Sequence, residues 1–157
     1  MKKFYIIGFS LFVLIFVSPI FLFDDEVKHL YLLPNGYTGW VEITYTQYEY
    51  PPLTEEQNNS LFYKSQTIIS INVPKTGVVK TSSEFKAGLM EFYYVDSKGN
   101  GQRIGQNPEM IHGFSVGDHE VHHADGKVEK FPTVERFFVG TEQQWEQEVK
   151  KLKENET

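Results

Sequence analysis

Twenty consecutive residues, Phe4 to Phe23, are interrupted only by Gly8, Ser10, Ser18 and Pro19 and contain no charge. As a helix rising 1.5 Å per residue, such a run reaches about 30 Å, the thickness of a bilayer's hydrocarbon core. A cleavable signal has a shorter apolar region followed by small residues at the cut site. Here the best small residue, Ser18, has Phe16 two positions before it and Pro19 directly after it. Residues 1–23 are therefore read as an N-terminal transmembrane helix that stays in place as an anchor, with a cleaved signal and a secreted product as the alternative. Lys2 and Lys3 precede the run and Asp24, Asp25 and Glu26 follow it. The positive-inside rule then places the N-terminus in the cytoplasm and residues 24–157 outside.

The part after the run is about 130 residues, the size of one domain with a single core. The chain has no cysteine, which excludes a disulfide scaffold, thiol catalysis and thiolate-ligated zinc. Setting aside Lys2 and Lys3, 13 of the 15 basic residues stand against 21 acidic ones, a net charge of −8. Nucleic acid is excluded as a partner by that field, because phosphate binding needs clustered cations. Lys150, Lys151 and Lys153 cluster, but they alternate with Glu148, Glu154 and Glu156 and read as a solvated helix face.

Between residues 27 and 140 the chain alternates short β-branched and aromatic runs with Pro, Gly, Asn and Asp, an all-β signature. Lys28 to Leu33 is a strand stopped by Pro34-Asn35-Gly36. Gly39 to Tyr48 alternates Val41, Ile43 and Tyr45 with polar neighbours and reads as a half-buried strand. Tyr50 to Ser60 is polar and contains prolines, so it reads as a loop. Leu61 to Val73, Val78 to Thr81 and Leu89 to Val95 are further strands. The last runs into the turn Asp96-Ser97-Lys98-Gly99-Asn100-Gly101 and a return strand at Arg103-Ile104. That turn outweighs a calcium loop, for which Lys98 and Asn100 occupy acidic positions and no glutamate follows at the bidentate place. Arg136 to Val139 is a final strand. Thr141 and Gln144 then form a capping box, and Trp145, Val149 and Leu152 recur at helical spacing through a helix over 141–154. The expected architecture is an antiparallel β-sandwich of about seven strands, immunoglobulin-like or transthyretin-like, closed by one C-terminal helix.

Several phrases in this order resemble a known family. They are Leu33-Pro34-Asn35-Gly36-Tyr37-Thr38-Gly39-Trp40-Val41, Pro51-Pro52-Leu53, Val73-Pro74-Lys75-Thr76-Gly77, Phe92-Tyr93-Tyr94-Val95-Asp96 and Phe137-Phe138-Val139-Gly140-Thr141-Glu142. The chain is similar over about Tyr31 to Trp145 to small exported bacterial proteins that are grouped as a domain of unknown function. The resemblance implies an extracytoplasmic, membrane-attached β domain and carries no activity. Many of those proteins look like lipoproteins, anchored through a cysteine that this chain lacks, which favours the spanning anchor here.

His119-Glu120-Val121-His122-His123 satisfies the H-E-x-x-H pattern of zinc hydrolases, with Gly126 and Glu129 at the places of the extended motif's glycine and third ligand. On a helix His119 and His123 share a face and can bind one Zn²⁺, while Glu120 activates its water. Against this, the segment lacks an apolar helical face, and Asp125-Gly126 is a hairpin signal. On a strand the two histidines lie roughly 13 Å apart, too far to share a metal. The zinc-dependent hydrolase, with zinc held by His119, His123 and Glu129, is therefore the alternative to a non-catalytic module without a cofactor. His112, His119, His122 and His123 are also candidates for a pH-sensing cluster.

The remaining candidates are aromatic. Trp40, Tyr48 and Tyr50 fall opposite Val41, Ile43 and Tyr45 in parity and are expected to present large, low-entropy contact surfaces to a saccharide or an envelope protein. The chain is read as a membrane-anchored, non-catalytic module for binding or envelope interaction.

Overall fold

A computed structural model describes residues 26–58, 65–104 and 110–155. The anchor expected at residues 4–23 lies outside the described residues, and among these no helix is long and apolar enough to cross a membrane. The protein is mainly β. One sheet orders β3 (Thr54–Asn58), β4 (Gln66–Asn72), β1 (Glu26–Pro34), β6 (Leu89–Val95) and β7 (Gly101–Ile104). A second orders β5 (Val78–Lys80), β2 (Gly39–Thr44), β11 (Val134–Val139) and β8 (Ile111–Gly117). β9 (Glu120–His122) and β10 (Val128–Lys130) form a separate hairpin, and α1 (Glu142–Asn155) closes the chain.

The expectation of wholly antiparallel sheets is corrected. β1 runs parallel to both β4 and β6, and β2 parallel to β5. The cause is the path of the chain: it passes from β1 to β2 in the other sheet, returns for β3 and β4, crosses again for β5 and returns for β6. Parallel neighbours need such a crossover between them, whereas neighbours joined directly, such as β3 and β4, run antiparallel. The described residues also hold eleven strands where about seven were expected. β3 falls in the segment whose polarity predicts a loop, since Thr54-Glu55-Glu56-Gln57-Asn58 is polar throughout. It is an edge strand with every residue exposed, where polar side chains protect an unpaired backbone from further pairing. β8 lacks a clean alternation because Gly113, at φ +59°, sits in a bulge where the register shifts between Arg136 and Phe138.

The period-2 pattern fills the core as anticipated. Tyr31 and Leu33, Val41 and Ile43, Ile69 and Ile71, and Phe137 and Val139 are all buried between the two sheets. Tyr31 stacks on Phe92 at 4.7 Å between ring centroids, and both meet the edge of Phe137 at 5.3 Å. Each such side chain contributes about 1.5–3 kcal/mol through removal from water. β11 is buried on both faces, because Phe138 packs outward beneath Trp40 at 5.5 Å.

The turns follow the sequence signals. Asp96 accepts the Lys98 and Asn100 amides at 2.8 Å, with Gly99 at φ +83°. The Asn100 side chain also donates to it at 2.9 Å, a contact that holds the exposed carboxyl below the usual carboxylate range. The capping box forms as expected, the Thr141 amide donating to Gln144 Oε1 at 2.8 Å.

Candidate functional site

β2 was expected to continue to Tyr48. It ends at Thr44 because Thr46 adopts φ +57°, a left-handed conformation that breaks the strand. Tyr48 and Tyr50 therefore leave the face they were expected to share with Trp40. The chain turns over Gln47 to Tyr50, whose amide donates to the Gln47 carbonyl at 2.9 Å. The loop is then tied to the segment after β5. The Gln47 amide donates to the Thr81 carbonyl at 2.8 Å, the Thr81 hydroxyl to the Pro51 carbonyl at 3.0 Å, and the Leu53 amide to the Ser83 hydroxyl at 2.9 Å.

These ties shape one wall of an open groove of about 550 Å³. Tyr50, Leu53, Thr54, Ser70, Asn72 and Lys80 are among its lining residues. It runs between the β3–β4 side of one sheet and the edge strand β5 of the other. Lys80 Nζ sits 5.4 Å from the centre of the Tyr50 ring. Among the described residues no aspartate or glutamate lines the groove and Lys80 is the charged one, in a domain of net negative charge. The arrangement offers an aromatic face, hydroxyls, an amide and a cation, which suits a polar ligand that carries an anion. Tyr48, within the Gln47 to Tyr50 turn, is 83% exposed and does not line the groove.

Trp40 lies elsewhere, on the outer face of the second sheet. The Arg136 guanidinium covers its ring at 4.4 Å. His112 stacks on Trp145 of α1 at 5.3 Å, and its Nε2 lies 3.0 Å from the Gly140 carbonyl, so that nitrogen carries the proton and donates. Both indoles close over Gly113, where a Cβ would come within 3.1 Å of Trp145 Nε1 and 3.5 Å of the Trp40 ring. Trp40 thus packs α1's first turn to the sheet, and of the three aromatic candidates only Tyr50 lines the groove.

The H-E-x-x-H segment is not a helix. Glu120 to His122 is strand β9, opposite β10, with Gly126 at φ +82° and its amide donating to the His123 carbonyl at 3.0 Å. His119 stacks on Phe131 at 4.0 Å, and His123 Nε2 lies 3.3 Å from Glu129. The helical geometry that the zinc alternative requires is replaced by a hairpin, because Asp125-Gly126 closes the turn and the segment has no buried face. No group of three metal-ligating side chains gathers among the described residues. Purified protein is accordingly expected to hold far less than one zinc per chain. Its metal content, measured by atomic absorption, should be unchanged by His119→Ala with His123→Ala. One zinc per chain lost in that double variant would restore the hydrolase.

The sequence reading missed Glu135. It is fully buried, and its carboxylate accepts hydrogen bonds from Tyr31 at 2.5 Å and Tyr45 at 2.7 Å. Burial pushes the Glu135 carboxyl above its usual range, against the two hydroxyls that favour its charged form. Burial and the adjacent carboxylate push both tyrosine hydroxyls far above theirs. Parity was the available signal, since Glu135 precedes Phe137 by two and shares its inward face. Beside this group His29 is buried between Tyr31 and Phe85, and burial lowers its pKa while a weaker contact with the Lys86 backbone pulls the other way.

These features define a two-layer, β-rich module with an open groove at the sheet edges and no assembled catalytic constellation among the described residues. The chain belongs to the family of unknown function DUF6843, whose model matches residues 25–148. No curated protein matches it. Among solved structures, it is similar to a Bacillus anthracis protein provisionally described as a lipoprotein, at 21% identity and a TM-score of 0.51. The match covers 73% of this chain and 71% of that one. At that identity the likeness concerns the fold.

Proposed function

We propose that the chain is a single-pass membrane protein whose outer domain, residues 24–157, is a non-catalytic module that binds an anionic envelope saccharide. The observation that carries this reading is the groove, which the Tyr50 ring under Lys80 lines together with Thr54, Ser70 and Asn72, with no carboxylate among the described lining residues. A sugar ring stacks on tyrosine through its C–H face, its hydroxyls pair with hydroxyl and amide side chains, and a uronate or phosphate pairs with lysine. The two layers around one core support the sandwich as the scaffold. The apolar run 4–23, flanked by Lys3 and Asp24, supports the anchor and the outward orientation. The description of the Bacillus anthracis neighbour as a lipoprotein is in keeping with a membrane-attached module.

The test is retention of the full chain, in detergent, on immobilised anionic cell-wall polysaccharide. Tyr50→Ala is expected to weaken binding about tenfold, the effect of about 1.4 kcal/mol. Lys80→Ala should weaken it several-fold and flatten its salt dependence.

A further inference from the structure

We infer that the end of the domain at which β1 begins rests on the outer leaflet, with Leu89, Phe114 and Val116 in contact with lipid. The inference depends on the proposed anchor at residues 4–23. Only Asp24 and Asp25 separate that run from Glu26, the first residue of β1. Two extended residues span about 7 Å, so a run embedded in the membrane holds this end of the domain at the bilayer surface.

The apolar surface lies at that same end. Leu89 is 56% exposed and pairs in register with Lys28, two residues into β1. The neighbouring Gly88 packs so closely that a Cβ there would meet the Val27 carbonyl. In the second sheet, β8 runs toward this end, where its last residue, Gly117, pairs with Val134, the first of the antiparallel β11. Phe114 stacks on Phe137 at 6.1 Å, and Val116 pairs with the inward-facing Glu135, so both belong to the face that lines the core. They are nevertheless 41% and 37% exposed. The core opens here into a small pocket of about 120 Å³ whose lining includes His29, Tyr31, Phe85, Lys86, Met90 and Phe114. Beyond the last pair the β9–β10 hairpin continues outward and exposes Val121 and Val128. Leu89, Phe114 and Val116 thus lie exposed at the end from which the chain leaves for the membrane.

The chemistry of the contact is apolar. The nearby cations Lys28 and Lys86 are paired with Glu91 and Glu55, and Lys127 and Lys130 of the hairpin with Asp125 and Glu120. A domain of net charge −8 gains nothing from anionic headgroups. The tether supplies a high effective concentration, so a small apolar patch is enough to hold the orientation.

The chain has no cysteine, so single cysteines can carry an environment-sensitive fluorophore. The full chain is reconstituted into phosphatidylcholine vesicles containing a shallow nitroxide lipid, with Leu89→Cys, Phe114→Cys and Val116→Cys as probes. Asn35→Cys and Lys98→Cys, in turns at the opposite end, serve as controls. Quenching at the three probe sites is expected to exceed that at the controls at least threefold and to persist in 0.5 M salt, as apolar contacts do. Leu89 and Val116 are exposed enough to replace without loss of folding should Phe114→Cys unfold the domain. Equal quenching at probes and controls in chains that float with vesicles overturns the inference and leaves the anchor standing. Failure of the full chain to float with vesicles overturns the anchor and the inference together.

Discussion

Glu135→Ala is expected to destabilise the domain by about 4 kcal/mol, the sum of a core cavity and two stranded buried hydroxyls. The carboxylate accepts from Tyr31 and Tyr45, which come from β1 and from the end of β2 and are 104 and 90 residues away in sequence. It therefore joins the two sheets through a buried polar bridge. Glu135→Gln keeps the shape and one acceptor oxygen, and a loss of about 1–2 kcal/mol is expected. The two variants also separate packing from charge. Burial raises the Glu135 pKa above 4.5, so above that pH the folded chain retains a proton that the unfolded chain has released. Its contribution is full below pH 4.5 and declines as the pH rises through the raised value. His29 acts in the opposite direction. Its pKa falls below 6.5, so its contribution is full above that pH and declines as the pH drops through the lowered value. Urea unfolding from pH 4.5 to 8 should show Glu135→Gln losing the decline on the rising side and keeping the one on the acidic side. A Glu135→Ala loss below about 1 kcal/mol contradicts the bridge, being the size of one ordinary hydrogen bond.

Gly77→Ala is expected to cost about 3 kcal/mol and to abolish groove binding while Tyr50 stays in place. Gly77 has φ +75°, and a Cβ there would overlap both the Trp40 carbonyl oxygen and the Tyr37 hydroxyl. That hydroxyl already donates to the Trp40 carbonyl at 2.6 Å. The Gly77 carbonyl accepts the Glu42 amide at 2.9 Å and so starts the pairing of β5 with β2. Relief of the overlap moves β5, which carries Val78, Val79 and Lys80 of the groove wall. Gly99→Ala provides the comparison, because Gly99 also has a positive φ of 83° but nothing within 4 Å of its missing Cβ. That change should cost about 1 kcal/mol from backbone strain alone and leave binding unchanged. Equal losses at the two glycines in thermal unfolding would contradict the steric argument.

The contrast between these positions marks what local sequence can carry. Alternation at Tyr31 and Leu33, Val41 and Ile43, and Phe137 and Val139 is a period-2 signal that survives any choice of partner strand, so the core was legible. Asn35-Gly36, Lys98-Gly99 and Asp125-Gly126 mark turns through backbone sterics, and Thr141 with Gln144 marks a helix start through its own hydrogen bonds. Which sheet each strand joins is decided by contacts many residues apart, and the parallel neighbours of β1 were for that reason not foreseen. β2 ended early at a single left-handed residue, Thr46, a type that seldom adopts that conformation. Parity places Trp40, Tyr48 and Tyr50 on one face only along one unbroken strand. Once β2 stopped at Thr44, Trp40 and Tyr50 went to different surfaces, and the groove's Ser70, Asn72 and Lys80 arrived from strands that no local pattern connects to Tyr50.

The most direct measurement of the central claim is the retention of full-length chains on anionic cell-wall polysaccharide, comparing wild type, Tyr50→Ala and Trp40→Ala. The groove predicts a roughly tenfold loss for Tyr50→Ala and near-normal retention for folded Trp40→Ala, whose ring lies under Arg136 on another face. Retention unchanged by Tyr50→Ala, or wild-type chains that do not bind the polysaccharide at all, would contradict it.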